Sequence, residues 1–314
     1  MRVAVIGSGG VGGFVGGRLA RAGHDVAFLA RGAHLEALRA NGLRVQSTDG
    51  DFDLPTVTAT DRPDELDPAD LFLFTVKTYD TEIAAAPLKP LLRPGATVLT
   101  LQNGIDNHHR IDAVLGAGVA LPGTIRIETT IAEPGVIAHT SKGHMIRFGE
   151  LGGANGGVTG GGDRVEVLRA AFADAGLTVA VPDDMRAELW DKFLFIVPFA
   201  GLTTLTRASI GPILADPDLT ATLGDLLAEA AAVAKADGVD FGADVVEKRL
   251  GWMRRLHPGF KSSMQRDLER GKPLECDALS GAIVRLGEQY GIPTPVTRCV
   301  AAVLALEDRR ARGE

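Results

Sequence analysis

MRVAVIGSGGVGGFVGGRLARAGHDVAFLAR, residues 1–31, combines a short apolar run, a glycine cluster, a helical pattern and a second apolar run. Residues 3–6 are apolar and are followed by a glycine, which predicts a buried strand of a parallel sheet. Val15, Leu19 and Ala22 follow at helical spacing, and residues 25–30 form the second apolar run. The order of strand, glycine turn, helix and strand predicts the opening of an alternating α/β fold.

The glycines between the first strand and the helix have the spacing G-x-G-x-x-G. In this context the first glycine allows a tight turn, the second lets the backbone approach a pyrophosphate, and the third lets the helix pack on the strand. The N–H groups at the helix start can then hold phosphates. The alternative is a glycine-rich turn without a ligand. The expected cofactor-binding residues are Gly7, Ser8, Gly9, Gly10, Val11 and Gly12.

The residue at the end of the second apolar run distinguishes sites for NAD from sites for NADP. A site for NAD usually places an acidic residue there, which bonds the ribose hydroxyls. This chain has Ala30 and then Arg31, and no acid. An arginine can hold a 2′-phosphate through two parallel hydrogen bonds. We therefore expect NADP(H), although Arg31 can also be an ordinary charge facing solvent.

Further apolar runs at residues 71–76, 97–101, 119–121 and 178–181 predict a doubly wound parallel sheet. Lys77 and Asn103 follow two of these runs. Ligands of such sheets bind beyond the carboxyl ends of the strands, so both residues are candidates for cofactor or substrate binding. Residues 124–150 resemble antiparallel strands, with His139 and His144 on strand surfaces. The glycine-rich residues 152–162 are expected to form a surface loop.

From residue 183 onwards the alternation stops and helical patterns dominate, at residues 186–205, 218–237, 243–256, 261–270 and 276–290, and from about residue 295. We therefore expect a Rossmann domain over residues 1–182 and an all-helical domain over residues 183–314. Lys192 lies among Trp190, Phe193 and Leu194, so its stem is expected to be buried. Its amino group can still reach water.

The composition limits the classes of partner. The 314 residues carry 33 Lys and Arg against 40 Asp and Glu, a net charge of −7, which argues against general nucleic-acid binding. Two cysteines are too few for a disulfide framework and suit a reducing cytoplasm. The most apolar stretch is interrupted by Pro198 and is short for a membrane span. The helical half can support a homodimer, although the same apolar faces can simply form its core.

Several segments, in order and over nearly the whole chain, resemble the ketopantoate reductase (2-dehydropantoate 2-reductase) family. They are GSGGVG at 7–12 with Arg31, TVKTYD at 75–80, LQNGIDN at 101–107, RAELWDKF at 186–193, SSM at 262–264 and PLECDALSG at 273–281. The resemblance implies NADPH-dependent reduction of a 2-keto acid to a 2-hydroxy acid, as in pantothenate biosynthesis.

The family's motifs also assign roles. They place the catalytic lysine at Lys192, the glutamate of the active site at Glu275, the asparagine beyond a strand at Asn103 and the substrate serine at Ser263. Negative charge builds up on the carbonyl oxygen during hydride transfer, and a protonated lysine can stabilise it and donate the proton. Glu275 would keep that lysine charged. Ser263 would hold the substrate carboxylate.

The chain departs from the family where two asparagines follow the lysine, because Ile196 and Ala200 occupy those positions and Phe260 replaces a further polar residue. Loss of groups that bond a hydroxyl lowers discrimination for it. We therefore expect ketopantoate or a bulkier, more apolar keto acid as substrate. Two alternatives stay open: a reductase or dehydrogenase of another small substrate, such as a β-hydroxyacid or an imino acid, and a non-catalytic NADP-binding sensor.

Overall fold

The computed structural model describes residues 1–152 and 162–314. The chain divides into one unit of Met1–Gln102 with Asp106–Glu188 and a second unit of Asn103–Ile105 with Leu189–Glu314. Most of the glycine-rich stretch at 152–162, expected to be a surface loop, lies outside the described residues.

The strands of the first unit form two sheets. In chain order they are β1 Arg2–Ile6, β2 Asp25–Leu29, β3 Leu43–Ser47, β4 Phe52–Leu54, β5 Thr58–Thr60, β6 Ala69–Phe74, β7 Leu92–Thr100, β8 Ala120–Arg126, β9 Thr129–Glu133, β10 Val136–His139, β11 Met145–Phe148 and β12 Val179–Ala180. The helices of this unit are α1 Gly10–Arg21, α2 Gly32–Asn41, α3 Thr81–Ala85, α4 Asn107–Leu115 and α5 Asp163–Asp174.

The larger sheet has the strand order β12-β11-β8-β7-β6-β1-β2-β5. Its strands from β5 to β8 pair in parallel, whereas β11 runs antiparallel to β8. The central strands β1 and β6 are short apolar runs that are almost wholly buried, as parallel strands covered by helices require. The Rossmann-type sheet is therefore confirmed. It is mixed near one edge, where β11 and the end of β8 lie in the region, residues 124–150, in which the sequence predicted antiparallel strands.

A second sheet of order β4-β3-β10-β9 was not expected from the sequence. Helix α1 lies between it and the larger sheet. A Cβ added at Gly13 would come within 2.7 Å of Ile137 in β10, and one at Gly16 within 2.6 Å of Val5 in β1. The repeated glycines of α1 thus let one helix pack closely against a sheet on each side.

The second unit is helical, as predicted. Its helices are α6 Met185–Thr206, which starts in the first unit, α7 Ile210–Ala215, α8 Pro217–Ala236, α9 Val245–Met253, α10 Ser263–Glu269, α11 Ala282–Tyr290 and α12 Pro295–Arg312. A π-helical turn, Asp277–Gly281, leads directly into α11. The division between the units falls after Glu188, within α6, whereas the sequence suggested residue 182.

Helix α6 is the one helix of the described residues that is long and apolar enough to cross a membrane. However, 67% of its most apolar window is buried within the protein. Burial of this extent is typical of a core helix, and Trp190, Phe193 and Leu194 are at most 1% exposed.

Candidate active site

Four parallel strands of the larger sheet end level with one another. Ile6 in β1 pairs with Leu29 in β2 and with Phe74 in β6, and Phe74 pairs with Thr100 in β7. The residues that follow these strands therefore share the carboxyl edge of the sheet, where open α/β sheets bind ligands. These residues include the glycine turn after β1, Arg31 after β2, Lys77 after β6 and Asn103 after β7.

The glycine turn is closed by the backbone and by one threonine. Gly7 has a φ of +97°, a conformation that favours glycine, and its carbonyl accepts a 2.7 Å hydrogen bond from Thr75 Oγ1. A Cβ at Gly12 would lie 2.2 Å from that carbonyl oxygen and 2.5 Å from Thr75 Oγ1. The third glycine therefore allows the close contact between helix and strand that its place in the motif predicts.

Gly9 differs from its neighbours because a Cβ at this position would meet no protein atom within 4 Å. It precedes the first residue of α1 with a φ of −72°. The N–H groups of the first helical turn have no intrahelical acceptor. The residues present thus fit the pyrophosphate of a dinucleotide, which the helix N-terminus would hold through backbone N–H groups.

Arg31 lies directly before the first residue of α2 and is extended and exposed, with 71% of its side chain accessible. Its guanidinium lies 4.0 Å from the Asp80 carboxylate, which has 35% of its side chain accessible. The Ser8 hydroxyl donates to the Leu29 carbonyl at 2.9 Å and so ties the glycine turn to the strand that leads to Arg31. A strongly exposed guanidinium beside the glycine turn is suited to binding an added phosphate.

Gln102 connects the ends of β6 and β7. Its amide donates to the Val76 carbonyl at 3.0 Å and to Thr81 Oγ1 at 3.0 Å, and its Oε1 accepts from Thr100 Oγ1. The side chain is buried, so these bonds are shielded from water. Lys77 directly follows Val76 and Asn103 directly follows Gln102, so each is adjacent in the chain to a member of this network.

In the second unit, Lys192 is partly buried on α6 and its neighbours in the chain are anchored. Trp190 donates to Asp237 at 2.7 Å, and Asp191 pairs with Arg249 of α9. Tyr290 donates to the second oxygen of Asp237. These contacts hold the turn of α6 that carries Lys192 in one orientation.

Two contacts connect α6 to the segments that carry Ser263 and Glu275. The hydroxyls of Thr203 and Ser262 lie 2.9 Å apart, and Ser262 caps α10 by accepting from the Gln265 amide. Ser263, the first residue of α10, is exposed. A Cβ at Gly201 would lie 3.4 Å from Ser280 Oγ, in the π-helical turn that follows Glu275.

Glu275 itself is buried, with 5% of its surface exposed. A buried carboxylate is stable only when it is hydrogen-bonded or ion-paired. The preceding residue is fixed by a bond from the Leu274 amide to Asp308 of α12. Burial raises the pKa of the next residue, Cys276, to about 11, so this thiol is protonated and is not a nucleophile at neutral pH.

Sequence reasoning gave no role to four polar residues that position these segments: Thr75 and Gln102 in the first unit, and Thr203 and Ser262 in the second. Each bonds backbone groups or neighbouring side chains, and each is a common residue type. Of these four residues, Ser262 could have been identified from the sequence, because it directly precedes α10 and serine is a preferred N-cap.

The two histidines expected on strand surfaces are buried instead, with side chains at most 4% exposed. Their ring nitrogens lie near Asp49, an arrangement that could suggest a metal site. However, His144 Nε2 accepts from the Thr178 amide at 3.0 Å, so Nδ1 carries the proton and donates to Asp49. His139 bonds Ser47 and Ser141. The group is therefore a hydrogen-bond network that ties β11 to the smaller sheet.

The comparison with protein-family models gives two matches. Residues 3–153 match the model described as ketopantoate reductase PanE/ApbA, and residues 184–307 match its C-terminal counterpart. Together they cover most of both units.

Individual proteins agree with the family models. A 2-dehydropantoate 2-reductase of Mesorhizobium japonicum is 32% identical over 334 aligned residues, covering 99% of this chain and 98% of the relative. The crystal structure of a PanE/ApbA family ketopantoate reductase from Ralstonia eutropha has a TM-score of 0.88 at 34% identity, covering 99% of this chain and 100% of that one. A D-mandelate dehydrogenase, solved with NADH and anilino(oxo)acetate, has a TM-score of 0.87 at 18% identity and the same coverage, which shows the shared fold.

Proposed function

This chain belongs to the ketopantoate reductase family of oxidoreductases, and we propose that it uses NADPH to reduce a 2-keto acid to a 2-hydroxy acid. The observation that carries the proposal is the placement of Lys192 on a turn of α6 whose two preceding residues are anchored, Trp190 to Asp237 and Asp191 to Arg249. A positioned ammonium group is the group that reduction of a carbonyl requires.

The reaction transfers a hydride to the carbonyl carbon. The dihydronicotinamide would supply this hydride when it is bound. As the carbonyl oxygen gains negative charge, Lys192 stabilises that oxygen and donates a proton from Nζ. Glu275 has the role of keeping Lys192 charged, since a carboxylate close to a lysine favours the charged form of the lysine. Ser263 holds the substrate carboxylate through its hydroxyl, and Asn103 positions the nicotinamide, the substrate or Lys192.

The cofactor preference rests on Arg31. The end of β2 has no acidic residue to bond ribose hydroxyls, and the exposed guanidinium of Arg31 is placed to bind a 2′-phosphate. Asp80, 4.0 Å away, holds the guanidinium near the glycine turn when no phosphate is present. The glycine turn from Gly7 to Gly12 and Lys77 complete the cofactor site.

The substrate is ketopantoate or a related, more apolar keto acid. Ile196 and Ala200 lie one and two turns after Lys192 on α6 and offer no hydrogen bond to a substrate hydroxyl. Reduction of another small substrate, such as a β-hydroxyacid precursor or an imino acid, is the second candidate, since the lysine chemistry is the same. Both reactions fit an enzyme of the cytoplasm, where free cysteines such as Cys276 and Cys299 persist.

Substitution of Lys192 tests the reaction directly. We expect Lys192→Ala to lower kcat by at least a hundredfold while NADPH binding, measured by the fluorescence of the reduced nicotinamide, is retained. Lys235→Ala is the matched control, because Lys235 is an exposed lysine of the same unit that pairs with Asp240. If Lys192→Ala reduced 2-keto acids at the wild-type rate, the proposed catalytic role would be wrong. If the wild type bound NADPH without turnover, a sensor function would be favoured.

A further inference from the structure

Helix α12 carries apolar residues on its exposed side as well as on its buried side. Residues 299–306 contain no charged residue. Val300 and Leu304 are buried in the helical unit, whereas Val303 and Leu306 are 40% and 41% exposed. A surface helix normally presents polar residues to solvent, so an exposed apolar stripe indicates a binding surface. The stripe, which we call the α12 seam, consists of Pro295, Cys299, Ala302, Val303 and Leu306.

An open groove of about 680 Å³ lies along one side of the seam. Its walls are the first half of α12, the end of α11 and the loop between these helices, and Cys299 and Ala302 belong to both the seam and the groove. The two charged residues of the lining, Glu288 and Arg298, pair with each other at 2.6 Å. The seam and the groove therefore form one continuous surface that can receive the apolar face of another helix.

We propose that the α12 seam binds the α12 seam of a second copy of this chain, with the two helices antiparallel. A two-fold contact uses the same surface on both copies, so the surface has to be complementary to itself. The seam meets this condition because it brings no charge into the contact. The inference does not depend on the proposed reaction.

The sizes of the seam residues favour the antiparallel arrangement. When the two-fold axis passes between positions 302 and 303, Leu306 of one copy lies opposite Cys299 of the other. A large side chain then meets a small one at the edge of the groove and can fill it. A parallel pairing would place Leu306 against Leu306 and Cys299 against Cys299, and would leave each groove without an occupant.

The charges beyond the seam favour the same arrangement. Arg309 is exposed and lies seven residues after Ala302, so it is on the groove side of α12. Antiparallel pairing brings Arg309 of one copy towards Glu288 in the groove of the other, where opposite charges attract. Arg310 continues the line of the seam four residues after Leu306. A parallel pairing would place the two copies of Arg310 side by side, and like charges repel.

Sedimentation equilibrium of the purified full chain, at about 1 to 100 µM, tests the association. We expect the wild type to be dimeric at the upper end of this range. Val303→Glu should raise the dissociation constant at least about tenfold, because the two-fold axis brings two carboxylates together. Ile83→Glu, at a 72% exposed apolar site of the first unit, is the matched control and should leave the constant unchanged. Both variants alter exposed side chains, so their melting temperatures as monomers should stay close to that of the wild type.

Oxidative crosslinking tests the antiparallel register. Leu306→Cys should form a disulfide-linked dimer through its new thiol and Cys299 of the other copy. The wild type and the double variant of Cys299→Ser with Leu306→Cys should stay uncrosslinked. In these two proteins the accessible thiols at like positions would be about 10 Å apart along the helix axes, which is too far for a disulfide.

Three results would overturn the inference. A wild type that is monomeric at about 100 µM would leave the seam to a different protein. A dimer whose dissociation constant is unchanged in Val303→Glu would be held by another surface. Efficient crosslinking of the wild type through Cys299 alone would show a parallel pairing. None of these results affects the reductase proposal, which is tested by NADPH oxidation.

Discussion

Arg31 and Lys192 show how differently single residues of this protein are placed for their proposed roles. Arg31 is exposed and has one distant ionic contact, so a ligand can reorganise it at little cost. Lys192 is partly buried on a helix that is tied to two other helices. In the proposed reaction, cofactor choice would therefore depend on an exposed guanidinium, whereas proton donation would depend on a positioned amine.

Replacing Arg31 should change the cofactor preference. We expect Arg31→Ala to lower kcat/KM for NADPH about tenfold to a hundredfold, because a charge-assisted bond to phosphate is lost, and to leave NADH turnover within twofold. Asp80→Asn should have the opposite effect on NADPH, since it removes a negative charge near the 2′-phosphate. Steady-state kinetics with both cofactors measures this, with Arg39→Ala of α2 as control. Equal losses for NADPH and NADH in Arg31→Ala would refute the 2′-phosphate contact.

His108 should make the protein less stable in acid. Burial, with smaller contributions from His109 and Arg186, lowers the pKa of His108 to about 3. The unfolded chain binds the proton near pH 6.5, so between pH 6.5 and pH 3 protons favour unfolding and stability falls as pH falls. From pH 7 to pH 5 this histidine costs about 2 kcal/mol of unfolding free energy.

Urea unfolding at both pH values tests this effect. His108→Gln should reduce the loss of stability between pH 7 and pH 5 by about that amount, whereas His109→Gln, at an exposed position, should not. An unchanged loss in His108→Gln would show that His108 is protonated in the folded protein at pH 5.

At the scale of elements, two glycines at the start of α1 are expected to differ in role: Gly12 is needed for stability, and Gly9 for cofactor binding. Gly9→Ala adds a methyl group that meets no protein atom within 4 Å, whereas Gly12→Ala places one 2.2 Å from the Gly7 carbonyl. We expect Gly9→Ala to keep the melting temperature within about 2 °C but to weaken NADPH binding at least tenfold. Gly12→Ala should lower the melting temperature by several degrees. Normal NADPH affinity in a folded Gly9→Ala variant would contradict the assignment of the phosphate site.

Helix α6 carries the residues that we expect to set specificity for a substrate hydroxyl. Ile196→Asn introduces a donor and an acceptor one turn after Lys192, and Ala200→Asn can be added to it. We expect the kcat/KM of ketopantoate relative to trimethylpyruvate, which lacks its hydroxyl, to rise threefold to tenfold. Ile196→Val is the control. No change in this ratio would show that position 196 does not contact the substrate substituent.

The elements that the sequence predicted are those with strong local patterns. The strand, glycine turn and helix of residues 2–21 and the long helices α6, α8 and α12 have periodicity and end signals of their own. Strands β3 and β4 and helix α7 were missed because they are short, and their role is set by contacts far along the chain. Val45 pairs with Ile137 of β10, about 90 residues later, and Leu43 approaches Gly17 of α1, so the burial of both depends on contacts outside their own segment.

At the candidate site, the glycine turn and the carboxyl edge of the sheet followed from sequence, because parallel strands end together. The roles of Lys192, Glu275 and Ser263 came from the family resemblance and stay predictions. The ring contacts of Phe260 with Phe199 and of Trp252 with Phe195 could not be predicted, since Phe260 and Trp252 carry no periodic signal towards α6. Their contact exists only after α9 and the segment before α10 pack on α6.

On the scale of the whole molecule, the chain combines a Rossmann-type unit with a helical unit, as the family models also divide it. The residues proposed to bind the cofactor, the glycine turn and Arg31, belong to the first unit, and those proposed for catalysis and substrate binding, Lys192, Glu275 and Ser263, belong to the second. The proposed reaction therefore needs the intact chain.

A ligand that binds only the folded state also stabilises it, so NADPH at a hundred times its Kd should add about 2.7 kcal/mol to the free energy of unfolding.

The most direct test of the central claim is the initial rate of NADPH oxidation by the purified protein with a panel of 2-keto acids, from ketopantoate to phenylpyruvate, and with NADH in place of NADPH. The account predicts turnover of at least one of these acids, a clear preference for NADPH and loss of the rate in Lys192→Ala. Tight NADPH binding without oxidation by any acid of the panel would contradict it.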